Sequence, residues 1–401
     1  MKSSELWTKD FILDAIVNFL LYVIFYQLML LSTDIALQQF HASISGAGLA
    51  SGIFIIGALV SRITSGRYID VVGRKKMLLL GTTLYLLSMV FYYMISSLSF
   101  FYIIRFIHGI SYGIASTAAS TIVASLVPLE RRGEGLGYYA LSLALASAIG
   151  PFLGIMFSQS GHYDWSLWLC TVLAVLTVVL SFFIHSPEHQ FTEKELDTLH
   201  HVTLSSFFAA KALPISFICL FCGIGYSTVL SFIGAYTHSI NMAEAGSLFF
   251  VCYAVTSLLS RPVLGRLLDS HGGDIIMYPT LFLLAMSMFT LAFASSDWML
   301  LLSGLLLGIS YGTITSTGQA LAIHRISAYQ IGLATSTLFI FLDIGVGIGP
   351  YLLGSLVPIY GFSSVYLTAG IIALADIFLY YLLLGRSGIF SKSQMALAKE
   401  S

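Results

Sequence analysis

Two stretches of sequence decide the fold: SRITSGRYID at residues 61–70 and SRPVLGRLLD at residues 260–269. They share a Ser-Arg pair, a Gly-Arg pair and an aspartate, and each shared residue recurs 199 residues later. Two further blocks keep this separation, GISYG at 109–113 with 308–312 and Gly-Pro at 150–151 with 349–350. Three blocks in the same order and spacing indicate that the chain contains two copies of one unit.

Composition indicates which solvent surrounds the chain. Apolar residues make up 57% and charged residues 9% of the sequence, with a mean hydropathy of +0.91, whereas soluble chains carry about 25% charged residues. We therefore expect a lipid bilayer, and internal repeats in such a chain are typical of transporters with a binding site between the halves. A net charge of −1 and the lack of a basic patch predict no nucleic-acid partner. The pair Cys219 and Cys222 is interpreted as small apolar packing rather than redox or metal chemistry.

The apolar residues fall into twelve segments long enough to cross a bilayer, which requires about 20 residues. They cover residues 11–32, 44–66, 76–97, 100–126, 135–158 and 164–185, and then 213–236, 243–265, 275–295, 298–322, 332–356 and 362–385. Lysine and arginine concentrate at the termini and in alternate loops, so the positive-inside rule places both termini in the cytoplasm. We predict an all-α membrane protein with 12 transmembrane helices in two pseudo-symmetric six-helix bundles.

A hydrophilic stretch at residues 186–211 separates the two halves. We predict an N-terminal bundle at residues 1–185, a cytoplasmic linker at 186–211, and a C-terminal bundle with a short tail at 212–401. A solvated linker is the preferred interpretation, and no metal site is predicted. The alternative is a metal-sensing cluster of four histidines, His185, His189, His200 and His201.

Three motifs resemble those of the major facilitator superfamily. GRYIDVVGRKK at residues 66–76 is similar to its motif between the second and third helices. RFIHGISYG at 105–113 resembles its fourth-helix motif, and GPFLG at 150–154 resembles its fifth-helix motif in antiporters. The resemblance extends over the whole chain and points to the twelve-helix drug:proton antiporter branch. It implies the major facilitator fold and transport by alternating access.

The resemblance also implies residues that gate conformational change rather than bind substrate. Asp70 lies where the second span meets the cytoplasm, and its carboxylate can cap a helix N-terminus or pair with an arginine of the other half. Asp269 would repeat this role facing Arg131 and Arg132, and the alternative is that these charges only set topology. The predicted gating residues are Gly66, Arg67, Asp70, Gly73, Arg74, Lys75, Gly265, Arg266, Asp269, Arg131 and Arg132.

Glycine and proline at equivalent positions of the two halves predict helix packing and bending. GxxxG spacing lets helix backbones approach closely, and a proline inside a helix removes one hydrogen bond and permits a bend. The residues assigned to these roles are Gly109, Gly113, Gly150, Pro151, Gly154, Gly308, Gly312, Gly349 and Pro350.

Ionisable residues inside the spans carry the functional prediction, because each costs about 3 kcal/mol at the bilayer centre. Arg105 is interpreted as the one basic residue buried in a span, and it needs an anion. We predict that Asp34 and Arg105 form a protonation-coupled pair. The alternative is that Asp34 faces outer water and Arg105 caps a backbone group. Asp343 is either a proton carrier or a satisfied bond between helices, and Asp376 is interpreted as structural.

Polar and aromatic side chains on four spans mark the expected cavity. Spacings of three and four residues place them on one helical face, and rings beside a few hydroxyls suit an amphipathic or drug-like molecule. Each of them could instead be a packing residue. The candidates are Asn18, Tyr22, Tyr26, Gln27, His108, Tyr112, Tyr226, Tyr311 and Gln319.

No catalytic or nucleotide-binding motif occurs in the sequence, so an enzyme is not expected. Without a P-loop the chain cannot be driven directly by ATP, and we expect the proton gradient as the energy source, with no cofactor. The prediction is proton-coupled efflux of a small molecule, which could be a secreted metabolite or metallophore. The alternatives are a proton symporter that imports a nutrient and a non-transporting sensor. The expected partners are a small-molecule substrate, protons and lipid, for a monomer in a bacterial plasma membrane by analogy.

Overall fold

The computed structural model describes residues 5–42, 44–159, 163–187, 204–324 and 326–387, which form helices joined by short connections and contain no β-strand. The first half contributes α1 (Lys9–Gln38), α2 (Ile44–Val72), α3 (Arg74–Phe91), α4 (Leu98–Leu126), α5 (Arg132–Gln159) and α6 (Tyr163–Phe182). The second half contributes α7 (Leu213–Ser239), α8 (Ala243–His271), α9 (Asp274–Ala292), α10 (Asp297–Ala322), α11 (Ile331–Gly354) and α12 (Phe362–Leu383).

Eleven of these helices, all except α2, contain a segment long and apolar enough to cross a membrane. The helix α2 has 29 residues. Large apolar side chains remain on the outer faces, for example Phe152, Phe378 and Val263, which are each more than 60% exposed. The predicted all-α membrane fold is confirmed, whereas the number of spans and the side of the termini stay predictions.

The repeated stretches are helical to their ends. The predicted second and eighth spans end at residues 66 and 265, but α2 and α8 continue to Val72 and His271. Both helices stop at a glycine with positive φ, Gly73 at 105° and Gly272 at 92°. Glycine adopts this backbone at little cost and so terminates helices readily. Hydropathy falls earlier than the helix ends because the last turns carry the charged residues of the repeat.

The chain divides into two compact units. The first contains Met1–Val127, Leu145–Ala209 and Ser327–Thr337, and the second contains Pro128–Ala144, Ala210–Ile326 and Leu338–Ser401. Each unit therefore consists of most of one sequence half together with the start of one helix from the other half. The start of α11 belongs to the first unit and the start of α5 to the second. The domain boundaries at residues 185 and 212 stay a prediction.

The predicted glycines lie where helix backbones meet. A Cβ at Gly109 of α4 would overlap the carbonyl oxygen of Phe54 in α2, and a Cβ at Gly308 of α10 would overlap that of Tyr253 in α8. The two sequence halves therefore use the same contact between equivalent helices. The further predicted glycines face side chains of neighbouring helices: Gly113 faces Ser61, Gly312 faces Ser257, Gly150 faces Tyr26 and Gly349 faces Ser227.

The predicted prolines lie inside helices. Pro151 is in α5 and Pro350 is in α11. Each lacks the N–H that would complete the helical hydrogen bond at its position, which leaves one backbone carbonyl of the preceding turn without its usual partner. The bending role of Gly154, which is buried in α5, stays a prediction.

Candidate functional site: helix-end contacts and a buried polar centre

Asp70, in the last turn of α2, is 7% exposed and accepts hydrogen bonds through both carboxylate oxygens. Its Oδ1 accepts from Arg74 Nε at 2.6 Å, and its Oδ2 accepts from the backbone N–H of Gly332 at 3.0 Å. Gly332 is the second residue of α11, where the N–H groups have no partner within the helix and the helix dipole is positive. We call this arrangement of Asp70, Arg74 and Gly332 the first helix-end contact.

Small residues make the first helix-end contact possible. A Cβ at Gly332 would overlap the Ile69 side chain, and a Cβ at Gly66 would overlap the Ser336 side chain. Ser336 also donates a hydrogen bond from its Oγ to the carbonyl oxygen of Arg62. The ends of α2 and α11 can therefore approach closely enough for Asp70 to reach a backbone N–H.

Asp269, at the equivalent position of α8, forms the second helix-end contact with the start of α5. Its Oδ1 accepts from the N–H of Gly133 at 2.7 Å, and its Oδ2 accepts from the N–H of Glu134 at 2.9 Å. A Cβ at Gly133 would lie 2.6 Å from the carbonyl oxygen of Gly265, and a Cβ at Gly265 would lie 2.6 Å from the carbonyl oxygen of Gly133. Both contacts thus join the end of the second helix of one sequence half to the start of the fifth helix of the other half.

The ion pairs of the two contacts differ. In the first contact Arg74 pairs with the aspartate itself, whereas in the second contact the ion pairs are made by Glu134. Its Oε2 pairs with Arg131 Nε at 2.7 Å and its Oε1 with Arg266 Nε at 2.8 Å. Arg131 bonds to Glu134, and its predicted position facing Asp269 stays a prediction. Arg132 interacts electrostatically with Asp269. Glu134 itself was missed because position 333, its counterpart in the repeat, is leucine.

The other predicted gating residues surround the first helix-end contact. Arg67 is 4% exposed and lies over the rings of Tyr68 and Phe207, 5.6 and 5.1 Å from their centroids. Lys75 donates from Nζ to the carbonyl oxygen of Phe182 at 2.9 Å. These contacts join the start of α3 to the last residue of α6, and the end of α2 to Phe207, which follows α6 in the chain. Whether these residues gate transport stays a prediction.

Arg105 is at the centre of a buried polar group in α4. It is 1% exposed, donates from Nε to the carbonyl oxygen of Ala50 at 2.9 Å and from Nη1 to Tyr92 Oη at 3.2 Å. Tyr92 Oη is also 3.1 Å from His108 Nδ1, and Arg105 lies 4.6 Å from the Phe54 ring centroid. Among the described residues no carboxylate pairs with Arg105, and a buried guanidinium is thus held by a carbonyl, a phenol and an aromatic face.

The three predicted coupling residues are described to different extents. The backbone of Asp34 lies in α1, but its side chain falls outside the described parts of the chain. Asp343 is half-buried in α11. The predicted pairing of Asp34 with Arg105 and the role of Asp343 therefore stay predictions.

Arg105 is not the one basic residue buried in a span, and that interpretation is wrong. Arg62 in α2 and Arg261 in α8 are each 1% exposed. Arg62 donates from Nη1 to Thr117 Oγ1 at 3.1 Å and lies over the Tyr112 ring, 5.8 Å from its centroid. Both arginines lie inside the predicted spans 44–66 and 243–265 and inside α2 and α8, so they belong to helix interiors rather than to loops.

The cavity candidates form one aromatic cluster in each unit. In the first unit Tyr22 meets Tyr112 edge-on at 5.7 Å between centroids, and Phe25 stacks on Tyr112 at 5.2 Å. In the second unit Tyr226 and Tyr311 stack at 3.9 Å with an interplanar angle of 7°. The remaining candidates Asn18, Tyr26, Gln27, His108 and Gln319 are buried. Gln27 bonds to Ser166 Oγ of α6 at 2.7 Å, which is a packing contact between helices.

No set of three or more metal-binding side chains occurs among the residues whose positions are described. Three of the linker histidines, His189, His200 and His201, fall outside those residues. The fourth, His185, bonds to Asp10 through its backbone N–H at 2.9 Å and through Nδ1 at 3.4 Å.

Long apolar helices with two equivalent helix-end contacts define a polytopic membrane transporter built from two repeats. The chain belongs to the major facilitator superfamily. The sequence profile described as Major Facilitator Superfamily matches residues 15–246 and 215–394. The chain is therefore a transporter of small molecules rather than an enzyme, and a multi-pass protein of the cell membrane.

Relatives and a solved structure agree with this assignment. The multidrug resistance protein MdtG of Dickeya zeae is 26% identical, with 83% of this chain and 84% of that protein covered. The staphylopine export protein of Staphylococcus aureus is 22% identical over 84% and 86% of the two chains. The crystal structure of the human organic anion transporter MFSD10 (TETRAN) shares the fold with a TM-score of 0.74 at 17% identity, covering 92% of this chain and 98% of that one. The predicted bacterial membrane accords with the two bacterial relatives.

Proposed function

We propose that this protein exports small amphipathic molecules in exchange for protons, by alternating access. The observation that carries the proposal is the pair of helix-end contacts, Asp70 with the start of α11 and Asp269 with the start of α5. Alternating access requires interactions that form in one state and break in another. A carboxylate on backbone N–H groups at a helix start is such an interaction, because its loss in the open state is compensated by water.

The proposed direction of transport and the proposed substrate class rest on the names of the relatives. One is named a multidrug resistance protein and another a staphylopine export protein. The aromatic clusters around Tyr112 and Tyr311 would supply rings and a few hydroxyls to an amphipathic molecule. Both observations favour an exporter that tolerates varied substrates, including a secreted metabolite or metallophore.

Proton coupling rests on the intramembrane charges. A carboxylate that is protonated from the outside loses its attraction for Arg105 or for water, and this changes the relative stability of the two states. Asp34 and Asp343 are the proposed carriers in the first and second halves. The proton gradient is the proposed energy source, without a cofactor, and two repeats in one chain favour a working monomer in the lipid bilayer.

The test is proton movement in inverted membrane vesicles with an acidic lumen. Ethidium, an amphipathic aromatic cation, is added outside while lumenal pH and ethidium uptake are followed. We expect ethidium to raise lumenal pH in vesicles with the parent protein, and we expect Asp34→Asn or Asp343→Asn to reduce this change at least about tenfold, as expected when the essential proton carrier is lost. Asp297→Asn, an exposed carboxylate at the start of α10, is the matched control and should behave like the parent.

Each alternative has its own result in this assay. Protons that move in the same direction as ethidium would replace the exporter with a symporter. Loss in Asp343→Asn alone would place the carrier in α11 and leave Asp34 as a surface charge. Ethidium uptake without any proton movement would contradict the proposed coupling.

A further inference from the structure

Asp376 is an acidic residue inside α12 that the coupling scheme above does not use. Its side chain is 2% exposed, although neighbouring Phe378 is 63% exposed and Leu374 is 41% exposed on the outer face of the same helix. A charged carboxylate at membrane depth is costly, and such residues face the bundle interior and mark ion or proton pathways. An ionised Asp376 on the inner face of α12 would therefore need a cation or several hydrogen-bond donors beside it.

No cation balances it among the residues that the structure describes. The Cys222 thiol of α7 donates to Asp376 Oδ2 at 3.3 Å, and Oδ1 has no hydrogen-bond partner. A thiol is a weak donor, and one weak hydrogen bond does not compensate an ionised carboxylate in an apolar site. The arrangement fits a carboxyl group that carries a proton in this conformation.

Among the described residues, the titratable groups that contact α12 supply no cation to Asp376. On α7 the groups facing it are Cys222 and Cys219. On α9, Tyr278 packs on Tyr380 of α12, and Asp274 accepts from Tyr380 Oη at 2.8 Å. That bond is made one turn beyond Asp376, so the Asp274 carboxylate is already engaged by another residue of α12.

Cys222 connects Asp376 to the aromatic cluster of the second unit. Tyr226 follows Cys222 by one helical turn and so lies on the same face of α7. Tyr226 stacks on Tyr311 of α10 at 3.9 Å. A Cβ at Gly318 of α10 would lie 2.7 Å from Cys219 Sγ. A movement of α7 against α10, as when a molecule separates the two rings, would therefore also change the contact between Cys222 and Asp376.

We propose that Asp376 is a proton-binding site, linked through α7 to the Tyr226–Tyr311 pair. Asp376 holds a proton while Cys222 donates to it. When α7 moves and water reaches the carboxyl group, the O–H bond breaks, the proton passes to water, and the carboxylate remains until it is protonated again from the other side. The proposal rests on the proposed transport function and adds a second-half site to it, separate from Asp343.

The first test is chemical labelling of the parent protein in membranes. Dicyclohexylcarbodiimide adds to protonated carboxyl groups in apolar surroundings, and the adduct is located by peptide mass spectrometry. We expect Asp376 to be labelled at neutral pH, and labelling to fall at least about threefold at alkaline pH or with saturating ethidium, as water replaces the apolar surroundings. Labelling that is the same under all these conditions would overturn the proposal, whether or not ethidium is transported.

The second test is the vesicle assay with Asp376→Asn. The amide keeps the size and polarity of a protonated carboxyl but cannot exchange a proton. A proton-binding role predicts that ethidium-dependent proton release falls at least about fivefold at equal protein content, while Asp274→Asn on the facing helix retains it. Parent-like proton release in Asp376→Asn would show that the acid is structural. If Asp376→Asn does not fold, the labelling of the parent protein decides whether Asp376 binds a proton. A parent protein without ethidium-driven proton flux would count against the proposed function and not against this site.

Discussion

Replacing Asp70 and Asp269 together by asparagine is expected to lower the rate of ethidium transport at least about tenfold, with near-parent amounts of protein in the membrane. Asp70 accepts from one backbone N–H group at a helix start and Asp269 from two, and a hydrogen bond to a charged group contributes about 1.5–3 kcal/mol. A loss of about 1.4 kcal/mol changes an equilibrium constant tenfold. The variant would therefore rarely occupy the state in which both helix-end contacts are closed, and the transport cycle would slow.

Single substitutions and a control separate this effect from a general loss of charge. Asp70→Asn should be the more harmful single change, because it also removes the carboxylate from Arg74, which is 4% exposed. Asp269→Asn leaves the ion pairs of Glu134 in place. Asp164→Asn replaces an exposed carboxylate in the first turn of α6 and should transport at the parent rate. A double variant that transports like Asp164→Asn would show that the helix-end contacts only set topology.

Replacing Gly109 by alanine is expected to lower the thermal stability of the detergent-solubilised protein by several degrees, and Gly109→Val should remove most of the folded protein. The added Cβ would overlap the carbonyl oxygen of Phe54, so α4 would have to move away from α2. Overpacking of this kind typically costs about 1–3 kcal/mol. The measurement is the fraction that remains monodisperse by size exclusion after heating.

Gly225→Ala is the matched control for Gly109→Ala. Gly225 lies inside α7 and a Cβ there would meet nothing within 4 Å. Alanine is favoured over glycine in a helix by about 1 kcal/mol, so Gly225→Ala should be as stable as the parent or slightly more stable. Equal melting behaviour of the two alanine variants would contradict the close approach of α2 and α4.

The class of fold could be predicted because the apolar composition and the internal repeat can both be read directly from the amino-acid sequence. The 199-residue repeat also identified Asp70 and Asp269, because an aspartate occupies the same position in both copies. Their partners are backbone N–H groups, which residue identity does not reveal. The repeat did hold a signal for them, because Gly133 and Gly332 are also separated by 199 residues, and both supply an N–H to the aspartates.

Other features lay beyond sequence reasoning for physical reasons. Hydropathy falls at the charged ends of α2 and α8, so the predicted spans ended at residues 66 and 265, although the helices continue to Val72 and His271. Glu134 has no equivalent in the second half and does not stand out by repetition. The bond between Cys222 and Asp376 joins residues 154 positions apart, and no local pattern indicates that α7 and α12 meet there.

The most direct measurement of the gating role is the distance between spin labels at Glu130 and Ser270. Both residues are exposed and flank the second helix-end contact. Cys252, which is not fully buried, would be replaced by serine, and the buried Cys170, Cys219 and Cys222 would be kept. Pulsed electron paramagnetic resonance should show a short distance in the parent protein, and a second, longer distance that gains population when ethidium is added or when Asp269 is changed to asparagine. One unchanged short distance under all these conditions, in protein that still transports ethidium, would contradict the claim that the helix-end contacts open during transport.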